Sequence, residues 1–112
     1  MDFKKIIEKA RKISRLYKRL NYQENYKSWG VSEHIQGLMG DVGDLAKLVM
    51  AKKGLRFKDD DIDDKIKNEL SDCLLSILTI ADELKIDMEK EFVDKLNQLQ
   101  DKIDNRRVLK NK

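Results

Sequence analysis

The chain has no proline, five glycines and seven aromatic residues in 112. With so few turn formers and with apolar residues recurring at helical spacing, a sheet is not expected and an all-α protein is. Its single cysteine, Cys73, excludes an intramolecular disulfide framework and agrees with a reducing compartment. Its single histidine, His34, has no Cys or His partner for a zinc site. No run approaches the eighteen or so apolar residues of a membrane span. The opening segment, MDFKKIIEKARKISRLYKRL, carries charge every two or three residues, which is neither a signal-peptide core nor an acid-poor transit peptide. The expected location is the cytoplasm, with no membrane partner.

What the chain has in quantity is charge. Lys and Arg number 24 against 21 Asp and Glu, for a net charge of +3. That balance does not by itself imply nucleic acid. The basic residues of the first segment spread around its helix and read as a solvated face.

Four helical segments follow from the periodicity. Phe3, Ile6, Ile7, Ala10, Ile13, Tyr17 and Leu20 mark an amphipathic helix over 2–20. NYQENYKSWG breaks the pattern as a loop. Ser32 is the expected N-cap of a second helix through Ile35, Leu38, Val42, Leu45 and Val49, closed by Gly54. Ile62 to Leu84 carry a third stripe. Beyond a cap at Asp87, Phe92, Leu96, Leu99 and Ile103 carry a fourth, ending near Arg107. Short connections predict antiparallel neighbours, and residues 1–112 read as a single domain with a four-helix bundle architecture. Four short helices bury little surface alone, which points to a homo-oligomer.

The second helix contains GDVGDLAKLV, residues 40–49. Its two glycines and two aspartates give up roughly 3 kcal/mol of helix propensity relative to alanine. At 100° per residue from Leu38, the apolar arc spans about −20° to 120°, with Asp41 near 300° and Asp44 near 240°, at the edge of the core. On the third helix, counted from Leu70, Glu69 lies near −100° and Asp72 near −160°. Each helix thus carries an acidic pair at i, i+3 beside its apolar stripe. If these flanks face one another, four carboxylates converge, each pair repelling by roughly 3 kcal/mol at about 6 Å and an effective dielectric of 20. Such a cluster calls for cations or protons. Hard oxygen ligands suit Mg²⁺, with Mn²⁺ as the alternative, and those ions suit phosphate substrates.

At these residues the chain resembles the MazG-like all-α nucleoside triphosphate pyrophosphohydrolases, which carry an E-E-x-x-E motif and, on the next helix, E-x-x-D. GDVGDLA stands in place of the first, and NELSDCL matches the second. The resemblance runs from about Trp29 to the Asn105–Arg107 segment. It implies that Asp41, Asp44, Glu69 and Asp72 are the metal-holding and catalytic acids. It also implies hydrolysis of a nucleoside triphosphate to the monophosphate and pyrophosphate, with a homodimer or dimer of dimers as the active unit. Gly40 replaces the first glutamate, as in the branch resembling dCTP pyrophosphatases, and Asp41 and Asp44 are one methylene shorter than glutamate. That branch places aromatics around its base pocket where this chain has Ala51 and Ser76.

Lys52, Lys53 and Arg56 after the second helix, or Arg106 and Arg107 after the fourth, are candidate phosphate contacts. Trp29, with Tyr22 or Tyr26, is the candidate for stacking on a base. Cys73 reads as an inert core thiol, and DDDIDD as a cap and solvated loop rather than a calcium loop. Gly43 is expected to permit close helix approach. The alternatives are a catalytically weakened nucleotide- or metal-binding regulator or scaffold of the same fold, and a nucleic-acid-binding module using the basic first helix. Nucleic acid ranks last, because the four acids oppose it.

Overall fold

The computed structural model describes residues 2–24, 27, 29–56 and 58–110. These form four helices, α1 (Phe3–Gln23), α2 (Val31–Lys52), α3 (Ile62–Glu83) and α4 (Met88–Lys110), with no strand among the described residues. The all-α expectation holds.

Local chemistry accounts for most helix ends. Asp2 caps α1, its Oδ1 accepting from the Lys5 N–H at 2.9 Å. Asp87 caps α4 as expected, accepting from the Lys90 N–H at 3.2 Å. Ser32 does not cap α2. The His34 N–H already bonds to the Gly30 carbonyl at 3.1 Å, so the helix starts at Val31, with Gly30 in the cap position and no side-chain cap. Helix α1 runs on past Leu20 to Gln23, and α4 past Arg107 to Lys110, since neither extension contains a glycine or proline.

Helices α2 and α3 end in the same motif. The Leu55 N–H bonds to the Met50 carbonyl at 2.9 Å and the Gly54 N–H to Ala51 at 3.0 Å. Likewise, the Ile86 N–H bonds to Ala81 at 2.9 Å and the Lys85 N–H to Asp82 at 3.1 Å. This closure requires a left-handed residue. Gly54 supplies it at φ 82°, and Lys85, which has a Cβ, at φ 58°.

The main pairing is α2 against α3, and it is antiparallel. His34 meets Glu83 (3.2 Å) at one end and Lys52 meets Asp63 (2.6 Å) at the other, with Asp41, Asp44 and Glu69 between. Helix α1 packs on another side of α3, also antiparallel, through a Ser14–Thr79 hydroxyl bond of 2.7 Å and the Arg11–Asp82 ion pair of 2.7 Å. Two basic residues of α1, Arg11 and Arg15, are thereby engaged by Asp82.

Helix α4 does not complete a bundle within the chain. It meets α1 at Phe3 and Phe92, whose ring centroids are 6.3 Å apart, but Phe92, Leu96, Leu99 and Ile103 all remain exposed. The buried apolar core is correspondingly thin: Ala51, Ile62, Cys73, Leu78 and Ala81. The α2 stripe divides, with Leu38, Leu45 and Val49 half-buried towards α3 while Ile35 and Val42 face outward. No described helix is long and apolar enough to cross a membrane.

Candidate metal centre

Antiparallel packing brings the middle of α2 against the middle of α3, and the acidic pairs meet there. Asp41, Asp44 and Glu69 each offer a carboxylate oxygen, and the three oxygens lie within 4.8 Å of one another. Asp41 and Glu69 are half-buried, while Asp44 is exposed. Asp72 lies at the edge of this group. It is exposed, and its Oδ2 accepts a long hydrogen bond of 3.4 Å from Asn68 Nδ2.

The electrostatics are those of a site short of positive charge. Burial pushes the Glu69 carboxyl above its ordinary pKa, and Asp41, Asp44 and Asp72 push it further in the same direction. Cys73 is buried, and its thiol is also pushed up, by burial first and then by Asp41, Glu69 and Asp72. It is a core thiol poorly disposed to ionise, as expected. The Glu69 Oε2 atom is buried without a hydrogen-bond partner among the described residues. A buried carboxylate oxygen left unpaired is costly, and hard oxygen donors on two rigid helices suit a hard divalent cation. The residues present therefore fit Mg²⁺ or Mn²⁺.

One hollow borders the cluster and a second lies about a helical turn from it. The first, of about 630 Å³, has Asp44 and Glu69 in its wall together with Lys47, Arg56, Lys65 and Asn68. The second, of about 460 Å³, lies between α1, α3 and the start of α2, and is lined by Trp29, His34, Tyr17, Asn21, Ser76 and Thr79. Trp29 is half-exposed, stands edge-on to His34 at 5.5 Å, and lies over Gly37. Gly37 is one turn before Asp41 and Ser76 one turn after Asp72, so Trp29 and the acids are separated by about 6 Å of helix.

The other sequence candidates divide. Arg56 joins the acid-lined hollow. Lys52 is held by Asp63, whose carboxyl it keeps below the ordinary range by a hydrogen bond and by charge. Lys53 is exposed at the α2 C-cap. Arg106 and Arg107 line a separate hollow formed by α4 residues alone. Tyr22 is exposed and borders neither of these hollows, and Tyr26 lies outside the described residues. Ala51 is buried beside the acid-lined hollow, whereas Ser76 lines the Trp29 groove.

Sequence reasoning missed Lys47 and Asn68, although Lys47 follows Asp44 by three residues and Asn68 precedes Asp72 by four, so helical spacing already placed both on the acidic faces. It also missed Tyr17 and Asn21, which reach the Trp29 groove from α1. No local signal pointed to them, since their neighbours are distant in the chain. No protein-family model, curated protein or solved structure matches this chain.

Proposed function

We propose that the chain is a divalent-metal-dependent pyrophosphohydrolase that converts a nucleoside triphosphate, or its deoxy form, to the monophosphate and pyrophosphate. This is the reading suggested by the resemblance of GDVGDLA and NELSDCL to the MazG-like family. The observation that supports it best is the meeting of Asp41, Asp44 and Glu69 around a buried, unpartnered Glu69 oxygen.

In this reading Asp41, Asp44 and Glu69 hold Mg²⁺ or Mn²⁺, with Asp72 beside them. A bound ion supplies charge neutralisation at the phosphates and a water of lowered pKa. Lys47 and Arg56, in the same hollow as Asp44 and Glu69, bind phosphate oxygens. Asp72, exposed at the edge of the cluster, is the carboxylate to which this reading gives the role of proton acceptor. Trp29 stacks on the base in the neighbouring groove, where Asn21 and Ser76 present hydrogen-bonding groups to its edge. A homodimer or dimer of dimers is the assembly this reading expects.

A second reading is favoured by the exposure of Asp44 and the engagement of Asp72 by Asn68. In it, the same site binds metal and nucleotide without turnover, as a regulator or scaffold. One experiment separates the two: incubate the chain with a panel of nucleoside triphosphates and Mg²⁺, measure pyrophosphate, and titrate binding in parallel by calorimetry. Pyrophosphate release that is lost in Glu69→Gln supports hydrolysis. Binding without release selects the second reading, and neither binding nor release overturns both.

A further inference from the structure

We infer that α1 is a docking face for an anionic lipid bilayer, on which the helix lies flat with the side it turns away from α3. The inference rests on that surface alone and is independent of the hydrolase reading.

Ser14, which bonds to Thr79, marks the line along which α1 meets α3. Counted from it at 100° per residue, the half-buried residues of the helix, Phe3, Ile7, Ala10, Arg11 and Asn21, all fall within about 60°. The opposite side is one continuous arc from about 140° to 280°. Its basic half holds Arg19, Lys12, Lys5 and Lys9, and its apolar half Leu16, Leu20, Ile13 and Ile6, with Leu16 between Lys5 and Lys9 where the halves meet. All eight are exposed, Leu16 at 44% and Leu20 at 50%. The arc contains no acid. Glu8, the one acid within α1, stands about 20° beyond Arg19.

From sequence alone the basic residues of this helix spread all round it and read as a solvated face. Packing sorts them. Arg11 and Arg15 are taken by Asp82, and Lys4 and Lys18 remain towards the α3 side. Lys5, Lys9, Lys12 and Arg19 make no ion pair among the described residues, and they share the outward arc with the apolar row.

That combination selects the occupant. Apolar side chains bordered by unopposed cations fit a surface that is anionic outside and apolar beneath. A second copy would set four cations against four. A nucleic acid would pair the cations but leave the isoleucines and leucines against water, and the arc offers no aromatic ring on which a base could stack, since Tyr17 lines the Trp29 groove. Helix α4 also exposes an apolar row, but it carries Glu89, Glu91, Asp94, Asp101 and Asp104, which an anionic surface repels. The 21 residues of α1, unbroken by glycine or proline, make a ridge about 31 Å long. A fluid surface conforms to such a ridge along its whole length. Lying on a bilayer needs no spanning run, so the absence of a membrane-crossing helix among the described residues does not bear on it.

The test uses the full chain without nucleotide or divalent metal, so that neither the metal centre nor turnover enters. The chain is sedimented with vesicles of phosphatidylcholine alone and with vesicles containing about a third phosphatidylglycerol, at low salt and at about 0.5 M salt. A DNA duplex at equal phosphate concentration is titrated in parallel. The expected result is binding to the anionic vesicles only, weakened by salt and stronger than binding to the duplex. Replacing Lys5, Lys9 and Lys12 together by glutamine should weaken it about a hundredfold, and Leu16→Gln about tenfold. A polarity-sensitive fluorophore on Leu20→Cys should shift to the blue on binding, and one on Leu99→Cys should not, with the buried Cys73 as background. No binding to anionic vesicles, equal binding to phosphatidylcholine, or a blue shift confined to Leu99→Cys overturns the inference. Binding that a folded Leu16→Gln leaves unchanged reduces it to phosphate attraction and overturns it too, and tighter binding to the duplex gives the face to nucleic acid. Should Leu16→Gln unfold, the two labelled variants still decide. A chain that binds no vesicle yet releases pyrophosphate sinks this inference and leaves the hydrolase reading standing, and the opposite pair of results does the reverse.

Discussion

Asp41 on α2 and Glu69 on α3 face each other across the helix contact, with a carboxylate oxygen of each within 4.8 Å of the other. Two half-buried acids at that separation oppose the packing that holds them together, and Asp44 adds a third charge. Among the described residues no cation is in direct contact with them: the ion pairs of Lys52 and Lys65 are made with Asp63, Asp59 and Asp61 instead. The site is thus arranged to gain stability from a bound cation.

Mg²⁺ is accordingly expected to raise the melting temperature. At a concentration a hundred times its dissociation constant, a ligand that binds only the folded state stabilises by about 2.7 kcal/mol, which for a domain of this size is on the order of 10 °C or more. Glu69→Gln should abolish the shift, and Lys53→Gln should leave it intact. A scan with and without Mg²⁺ decides it, and an equal shift in Glu69→Gln would locate the ion elsewhere.

The pH dependence follows from the same residue. Glu69 has its pKa raised on folding, by burial and then by Asp41, Asp44 and Asp72, so the folded chain holds that proton more tightly than the unfolded one. Its contribution to stability is full below the unfolded value and is lost as pH rises through the folded value. In metal-free buffer at neutral pH, Glu69→Gln should therefore melt above the wild type. The gap should narrow as pH falls through the titration of Glu69, which lies above the ordinary 4.5. A Glu69→Gln variant less stable at every pH would contradict this. Added Mg²⁺ should shift the balance back towards the wild type.

Helical arithmetic made much of this legible before any coordinates. The 100° step put Asp41 and Glu69 on the flanks of their stripes, and short connections made α2 and α3 antiparallel neighbours. Asp72 sits about 60° further round α3 than Glu69, which is why it ends at the edge of the cluster. Periodicity identifies an apolar face but not its partner. Ile35 and Val42 therefore read as core, although one chain leaves them exposed, and the α4 stripe read as the fourth wall of a bundle. The pairing of His34 with Glu83 and of Ser14 with Thr79 joins residues far apart in sequence, for which no local pattern exists.

The two helix terminators give a comparison within one molecule. Lys85 occupies the left-handed region at φ 58°, where a side chain costs roughly 1 kcal/mol or more relative to glycine, and Gly54 fills the equivalent place at φ 82°. Lys85→Gly should stabilise the chain by about 1 kcal/mol and Gly54→Ala should destabilise it by a similar amount. Denaturant midpoints at unchanged slope would measure both. Loss of stability in Lys85→Gly would mean that the lysine side chain has a role the backbone geometry does not reveal.

Ser14 and Thr79 share the hydrogen bond that joins α1 to α3, with Thr79 buried. Thr79→Val removes one partner and leaves the Ser14 hydroxyl without it, at a cost of about 1–3 kcal/mol. The double variant Ser14→Ala with Thr79→Val removes both polar groups and should recover most of that loss. Simple additivity of the two single effects in a double-mutant cycle would show that the bond contributes nothing as a pair.

Trp29 is the only tryptophan in the chain, so its fluorescence reports on its groove without interference. A Cβ at Gly37 would stand 2.8 Å from Trp29 Cζ3, closer than carbon atoms pack, and neither the helix backbone nor the indole can absorb that without moving. Gly37→Ala should therefore displace the indole from α2 and change its emission, while its effect on helix content should be small, because alanine is the better helix former. If Trp29 stacks on a base, nucleoside triphosphates should quench the wild-type emission and bind Gly37→Ala more weakly, while inorganic triphosphate should leave the emission of both almost unchanged. The acids are a turn away and untouched, so Mg²⁺ should still raise the melting temperature of Gly37→Ala as it does for the wild type. Quenching by inorganic triphosphate equal to that by nucleotide would remove Trp29 from base recognition and assign it to packing against His34 and Gly37.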